Sequence, residues 1–502
     1  MAKSGIKRAY TFDILSEEQV QAIHRATLRV LWETGVAMHD ERALKIMAEG
    51  GCKVDFDTHR VRIPERLIMD SLAKCPGEWL VKARHPGNDL IIGGPDRTHF
   101  CASIGMTTLD LETWIPREPT RKEYCDHIKV LDWLPHNCAM PAFPYFGFAK
   151  VPQCLRLVEG HAAKVRISSK AQMEGSVLDN DVWNIAICKA TGQEMLHLCN
   201  PAAPLTFYEG TISQVLRYTK EDMPFHFASG PVSGATAPAT LAGAVVINNA
   251  DAIAGMVLTQ LIKPGHRVWA GSMIMVQNMS TGSPAFGSIN NSLMEAMFNQ
   301  MWRRYEVPNW NTASAWVSSK AIDYQAAYEC AMAALSCALS GTSAVLLQGG
   351  LTGELTAHPI KAIMDDDIAG MIIRYLEGIQ INDETLAVDL IQQVGPIPGH
   401  FLTTAHTRKW WKKEQFVPTV ADRLTFPEWA AQGMKKAIDH ARERMEAILA
   451  THKPEPLPPD QEKAVEDILK EARAHYRQMG FISDDDWKLY QEDLASPNYP
   501  YA

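Results

Sequence analysis

The stretch GGLTGELTAHPIKAIMDDDIAGMI, residues 349–372, concentrates more potential chemistry than any other part of the chain. A glycine-rich turn follows the apolar run SAVLLQ, and a loop then delivers Glu354 and His358. Pro359 suits the first turn of a helix, and that helix would carry Asp365, Asp366 and Asp367. His358 and Asp366 are eight residues apart, which on a continuous helix places them on one face, two turns from each other. The competing reading is a capping histidine and a solvated acidic face. A second loop, PIPGHFLTTAHTRKWW at 396–411, supplies His400, His406, Arg408 and two tryptophans. Two histidines six apart are not a standard metal pair.

Aromatic residues form the other candidate set. Phe143, Tyr145, Phe146 and Phe148 cluster in one short segment, and Trp310 and Trp316 follow later. Such rings pack cores, but their faces also attract a quaternary ammonium, by about 0.5–2 kcal/mol per good contact. The two tryptophans share a face only if one strand runs through both. SGPVSGATAP at 229–238 matches neither standard phosphate-binding glycine motif and reads as a tight strand-to-helix turn lining a pocket. For zinc, His197 and Cys199 are the nearest candidates; there is no HExxH and no CxxC, so no tightly bound metal is expected.

These residues need a scaffold. Residues 15–50 read as helical, with Ser16 as a cap ahead of Glu17 and Glu18. The β-rich runs EWLVKAR, NDLIIGG and THFCASIGMTTLDLET follow, suggesting a small layer ahead of the main fold. From about residue 120, strand candidates alternate with helical stretches such as 238–262 and 321–340. The strand candidates are Val165–Ser168, Leu205–Tyr208, Phe225–Ala228, Val268–Met275, Asn309–Trp316 and Ser343–Gln348; His136–Pro141 and a segment near Leu386–Val394 bring the count to eight. That rhythm predicts an α/β protein, a (β/α)8 TIM barrel, with a doubly wound sheet as the rival. The expected division is an N-terminal helical and β-rich addition (1–118), a barrel core (119–425) and a helical C-terminal extension (426–502), with the linker KPEPLPPD at 453–460.

Composition narrows the function. The 502 residues are 46% hydrophobic and 21% charged, as in an ordinary globular enzyme. A formal net charge of -9, with both signs mixed, argues against a partner bound through its phosphates. Ten scattered cysteines read as buried thiols of a reducing compartment. The N-terminus has no apolar core of signal-peptide length, and no uninterrupted apolar run reaches about 18 residues. A cytoplasmic location is therefore expected.

Four segments, taken in order, resemble the trimethylamine methyltransferase family: 229–265, 318–343, 349–372 and GHFLTTAHTRKWW at 399–411. The resemblance covers most of the chain. It implies a TIM barrel whose C-terminal face receives a corrinoid protein, the cobalamin being carried by that partner. Only standard residues are present, so the chain resembles the pyrrolysine-free branch, which acts on quaternary amines such as glycine betaine, proline betaine, carnitine and γ-butyrobetaine. The segment around His358 and Asp366 is most similar to the glycine betaine enzymes, which implies that both lie near cobalt as catalytic residues. The same resemblance implies that Gly349, Gly350, Gly353 and Glu354 contact the cofactor. Phe143, Tyr145, Trp310 and Trp316 are the expected ammonium cage, and a homo-oligomer is expected from the helical extension. The alternatives are a zinc-dependent methylcorrinoid:thiol methyltransferase and a betaine-binding barrel without turnover.

Overall fold

The computed structural model describes residues 5–312 and 316–501. Its main sheet has nine strands, eight of them parallel. The parallel strands are β1 (Arg97–Ala102), β2 (Ala139–Met140), β3 (Ala171–Glu174), β4 (Met195–Cys199), β5 (Phe225–Phe227), β6 (Val268–Ser272), β7 (Asn309–Asn311) and β8 (Ala344–Gln348). A helix follows each: α1 (Arg121–Trp133), α2 (Arg156–Ile167), α3 (Asp181–Ala190), α4 (Glu209–Glu221), α5 (Leu241–Ile262), α6 (Ile289–Arg304), α7 (Tyr324–Leu339) and α8 (Pro359–Leu376). Strands β2 to β8 pair in chain order and β8 pairs with β1, while Ile6–Lys7 runs antiparallel along the start of β1. A parallel bridge from Phe100 to Asn137, just ahead of β2, curls the sheet until its two ends meet. The strands are buried on both faces, as a helix-covered parallel sheet requires.

A hairpin, Glu78–Val81 with Leu90–Gly93, closes one end of this sheet. Trp79 meets Trp269 edge-on inside, at 5.8 Å. Arg267 donates to the Leu80 carbonyl at 2.9 Å and the Glu194 amide to the Lys82 carbonyl at 2.8 Å. Both residues immediately precede strands, so the hairpin seals the amino ends and leaves the carboxyl ends to form a site.

Several expectations need correcting. Residues 97–102, grouped by sequence with the layer ahead of the core, form β1 of the main sheet, paired with β8. Val165–Ser168 is not a strand: Val165–Ile167 ends α2, where Lys164 reaches the Met173 carbonyl and Arg166 pairs with half-buried Glu462, and β3 begins at Ala171. Within Leu205–Tyr208, Thr206–Phe207 pairs with Val36–Met38 in a separate four-stranded sheet, and Met195–Cys199 takes the place in the main sheet. Leu386–Val394 belongs to two short helices, Asp383–Leu386 and Val388–Val394. The 15–50 helix is interrupted: Glu17–Arg29 runs into a π-turn, Gly35 adopts a φ of +71°, and Val36–Met38 is a strand. Ser16 does cap, in a reciprocal box with Gln19.

Helix α5 is, among the described residues, the helix long and apolar enough to cross a membrane. Here it packs against α6 and the N-terminal helices Glu17–Arg29 and Glu65–Leu72, and most of it is buried. All ten cysteines are buried. The C-terminal helix Pro459–Gln478 lies on α2 and α3, where Arg473 pairs with buried Glu159 at 2.7 Å.

Candidate active site

A cavity of about 500 Å³ lies over the carboxyl ends of the strands. Its floor includes Met173, Leu196, His226, Trp310 and Leu346 from the strands themselves. Its walls come from the loops that follow them, chiefly Met106, Phe143, Phe146, Tyr208, Met273, Trp316 and Glu354. A cavity of this size, mostly apolar with a few polar groups, is the usual form of a small-molecule site.

The aromatic walls are fixed from behind. Trp310 stacks on Trp269 with centroids 4.9 Å apart, and His226 stands edge-on to it at 4.4 Å. Trp316 meets Phe286 edge-on at 5.8 Å, and Phe143 meets Phe146 in the same way at 5.4 Å. At the rim, Tyr208 stacks on His39 at 5.4 Å.

Glu354 sits on a small hairpin in which Gly350–Leu351 pairs with Thr356–Ala357. The Gly353 amide donates to the Val317 carbonyl at 2.8 Å and the Met106 amide to the Leu355 carbonyl at 3.1 Å, so two neighbouring loops hold this hairpin in place. The glycines serve internal packing. A Cβ on Gly350 would meet Ser103 Oγ at 2.6 Å, and one on Gly353, at a φ of +69°, would meet the Phe286 ring at 2.4 Å.

Charge in the cavity is one-sided. No lysine or arginine lines it among the described residues. Glu174 is already matched: Lys164 and His161 bond one oxygen, and Asn184 donates to the other at 3.1 Å. Glu354 is not matched, for its Oε2 is buried without a hydrogen-bond partner. Burial pushes its carboxyl above the ordinary glutamate value. Burial also holds His226 down at about 3, so this histidine is neutral.

Of the expected cage, Phe143, Trp310 and Trp316 line the cavity and Tyr145 does not. Tyr145 turns into the helix layer, 5.0 Å from the His127 ring and 6.2 Å from Tyr124. Strand β7 ends at Asn311, yet both tryptophans reach the cavity. Of the residues expected to contact cofactor, Glu354 alone is in the described lining, while Gly349, Gly350, Gly353, His358 and Asp366 are outside it.

His358 caps α8, its Nδ1 accepting from the Ile360 amide at 3.1 Å, and burial lowers it to about 4. Asp366 lies two turns further along, about 12 Å by helical rise. It accepts from the His136 amide at 3.2 Å and lies 3.0 Å from that imidazole. The two residues do not converge, because Asp366 ties α8 to the approach to β2. Its neighbours are similarly engaged: Asp365 accepts from the Gly349 amide at 2.8 Å, and Asp367 from the Thr419 and Val420 amides at 2.9 and 2.8 Å.

His197 lies against Tyr218 at 3.8 Å and Cys199 is buried with its thiol pushed up, so the zinc candidates form core. No group of three His, Cys, Asp or Glu side chains converges as for a metal among the described residues. Lys164 and Lys170 are tied to backbone carbonyls, Lys164 to those of Pro141, Ala142 and Met173 at 2.8 Å each. His406 bonds the Glu384 carbonyl on an outer helix.

Sequence reasoning missed His226 and Tyr208. The signal for His226 was a polar residue alternating within the apolar FHF of β5; Tyr208 carried none, because its rim position depends on the separate four-stranded sheet.

The family profile described as trimethylamine methyltransferase matches residues 2–476. The chain belongs to the trimethylamine methyltransferase family. Among its relatives, a glycine betaine methyltransferase of Desulfitobacterium hafniense (strain Y51) is 31% identical over 89% of this chain and 95% of its own length. A trimethylamine methyltransferase of the same species (strain DSM 10664 / DCB-2) is 30% identical, covering 95% and 97%. Among solved structures, the Methanosarcina barkeri monomethylamine methyltransferase aligns over 88% of this chain and 90% of its own, with a TM-score of 0.52 at 13% identity. At that identity the likeness is one of fold, and it extends over nearly the whole methyltransferase.

Proposed function

We propose that this methyltransferase moves a methyl group from a small quaternary amine to the Co(I) of a corrinoid protein, from a (β/α)8 barrel whose cavity holds the amine. The observation that carries the reading is the cavity itself, walled by Phe143, Trp310 and Trp316 with Glu354 unpaired among them. Ring faces and a buried carboxylate both favour a fixed positive charge and neither demands a proton from it. The named activity of the glycine betaine relative makes that compound the first of the panel to be tested.

The chemistry suits such a site. The methyl carbon–nitrogen bond breaks with both electrons going to nitrogen, so a neutral tertiary amine leaves and no acid is needed. Co(I), held by the partner protein, supplies the electron pair for the new bond. The chain's own residues orient the ammonium, exclude water and leave one methyl facing the mouth. A cobalamin is too large for a cavity of about 500 Å³, so it would have to meet the bound amine from outside the cavity. His358, neutral at the start of α8, is the residue we assign to that rim. Asp366 is not carried into this assignment, because it is engaged with His136.

The test is purified protein with cob(I)alamin under anoxic, reducing conditions and a panel of quaternary amines. Growth of the methylcobalamin spectrum with at least one of them is the expected result. Silence across the panel, with folded protein and reduced cobalt, contradicts it. Tight amine binding without that growth would instead indicate a binding protein.

A further inference from the structure

We infer that the cavity selects a quaternary ammonium of net positive charge over a zwitterion, with Glu354 as its counter-ion. The inference rests on the reading of this cavity as the amine site and narrows the substrate to amines without a carboxylate. Three observations lead to it. First, the Oε2 of Glu354 is buried without a partner, an arrangement that costs free energy until a positive charge meets it. Second, the other cavity carboxylate, Glu174, is already matched by Lys164 and His161, so Glu354 is the open acceptor of charge. Third, the lining offers no lysine or arginine among the described residues, and its His226 is neutral.

A trimethylammonium group bearing a hydroxyl or plain alkyl arm satisfies this set. The ammonium neutralises Glu354, and the arm lies against methionine and aromatic side chains. The indole nitrogens of Trp310 and Trp316 are buried without partners, and as neutral donors they suffice for a hydroxyl. A betaine brings a second charged group, a carboxylate that must shed its water and meets no lysine or arginine of the described lining while Glu354 repels it. The cavity is thus built for one charge.

The experiment is calorimetric titration of the purified full chain, without corrinoid, using choline, tetramethylammonium and glycine betaine as probes. Wild type is expected to bind choline at least about tenfold more tightly than glycine betaine, a difference of about 1.4 kcal/mol. Glu354→Gln is expected to weaken choline by about tenfold or more and to leave glycine betaine unchanged or improved. Thermal melting of the variant, together with its retained betaine binding, separates this outcome from misfolding. Glu354→Asp, which keeps the charge, is expected to restore part of the choline preference. Equal or tighter binding of glycine betaine in wild type overturns the inference, as does an equal loss of both ligands in Glu354→Gln. Because no cobalt is present, absence of methyl transfer bears on the proposed reaction and leaves this binding result intact.

Discussion

Phe143 is a half-buried cavity wall residue whose ring rests, among the aromatic contacts of the described residues, on Phe146 alone, so it can be removed with little damage to the core. Phe143→Ala is expected to weaken amine binding by about 0.5–2 kcal/mol, the worth of a cation–π contact, seen as a raised KM with the melting temperature nearly unchanged. Glu354 gives a pH signature. Its carboxyl is pushed above the ordinary value by burial, and only its ionised form pairs with a cation. Of the titratable groups beside it in the cavity, His226 is neutral and Glu174 is tied to Lys164 and His161. Affinity for a cationic amine should therefore climb as pH rises through the raised Glu354 value and then level off, and Glu354→Gln should flatten the profile. His136 carries a different dependence. Burial alone would lower its value, but the hydrogen bond and charge of Asp366 outweigh that and raise it. A raised histidine stabilises the fold fully below its unfolded value of about 6.5 and loses that contribution as pH rises through the folded one. The stability difference between wild type and Asp366→Asn, followed by denaturant melts, should shrink from pH 6 towards pH 8. A difference that grows over this range contradicts the pairing. Residue types nominated Phe143, Trp310 and Trp316, which line the cavity, whereas Glu354, expected as a cofactor contact, lines the same cavity. They could not show that Tyr145 turns inward, because a loop has no regular period to set side-chain direction.

At the scale of elements, α2 positions the site through one side chain. Lys164 is fully buried and donates to the carbonyls of Pro141 and Ala142 just beyond β2, and of Met173 in β3, while pairing with Glu174. It thereby fixes the carboxyl ends of two adjacent strands, next to Phe143. Lys164→Met would leave Glu174 buried without its cation, and an unfolding loss of about 3–5 kcal/mol is expected in denaturant titrations. A loss under about 1 kcal/mol would show that the pair is not structural. The rhythm of strands and helices was legible from residue 120 onward because short apolar runs alternate with longer amphipathic ones. It failed where long-range pairing decides. Thr206–Phe207 and Met195–Cys199 are both short apolar runs, and only their different sheet partners separate them. Val165–Ile167 has a strand's composition, but it continues a helix whose polar residues reach partners on both sides. The helical nature of Leu386–Val394 was hidden by its brevity and mixed polarity.

For the molecule as a whole, one end of the curled sheet is sealed and the other is open. The hairpin carrying Trp79 fills the amino ends of the strands and is outside the cavity lining, with Trp269 between Trp79 and the lining residue Trp310. Trp79→Ala should cost about 3–5 kcal/mol of stability, as for other large-to-small core changes, while leaving the KM for amine near wild type. A changed KM with unchanged stability would mean that the hairpin acts on the site rather than on the fold. Architecture and family were legible at this scale because they depend on repeated pattern and ordered segments. The charge balance of the cavity was not, since it depends on which buried carboxylate already has a partner. In the proposed reaction, a quaternary amine bound among Phe143, Trp310 and Trp316 gives one methyl group to Co(I). The most direct test is a single-turnover reaction of the protein with cob(I)alamin and a carbon-13 methyl-labelled quaternary amine, read by NMR. Labelled methylcobalamin and tertiary amine are expected in equal amounts, with the rate at limiting amine reduced in Phe143→Ala. Tertiary amine without labelled methylcobalamin, or neither product with any quaternary amine, would contradict it.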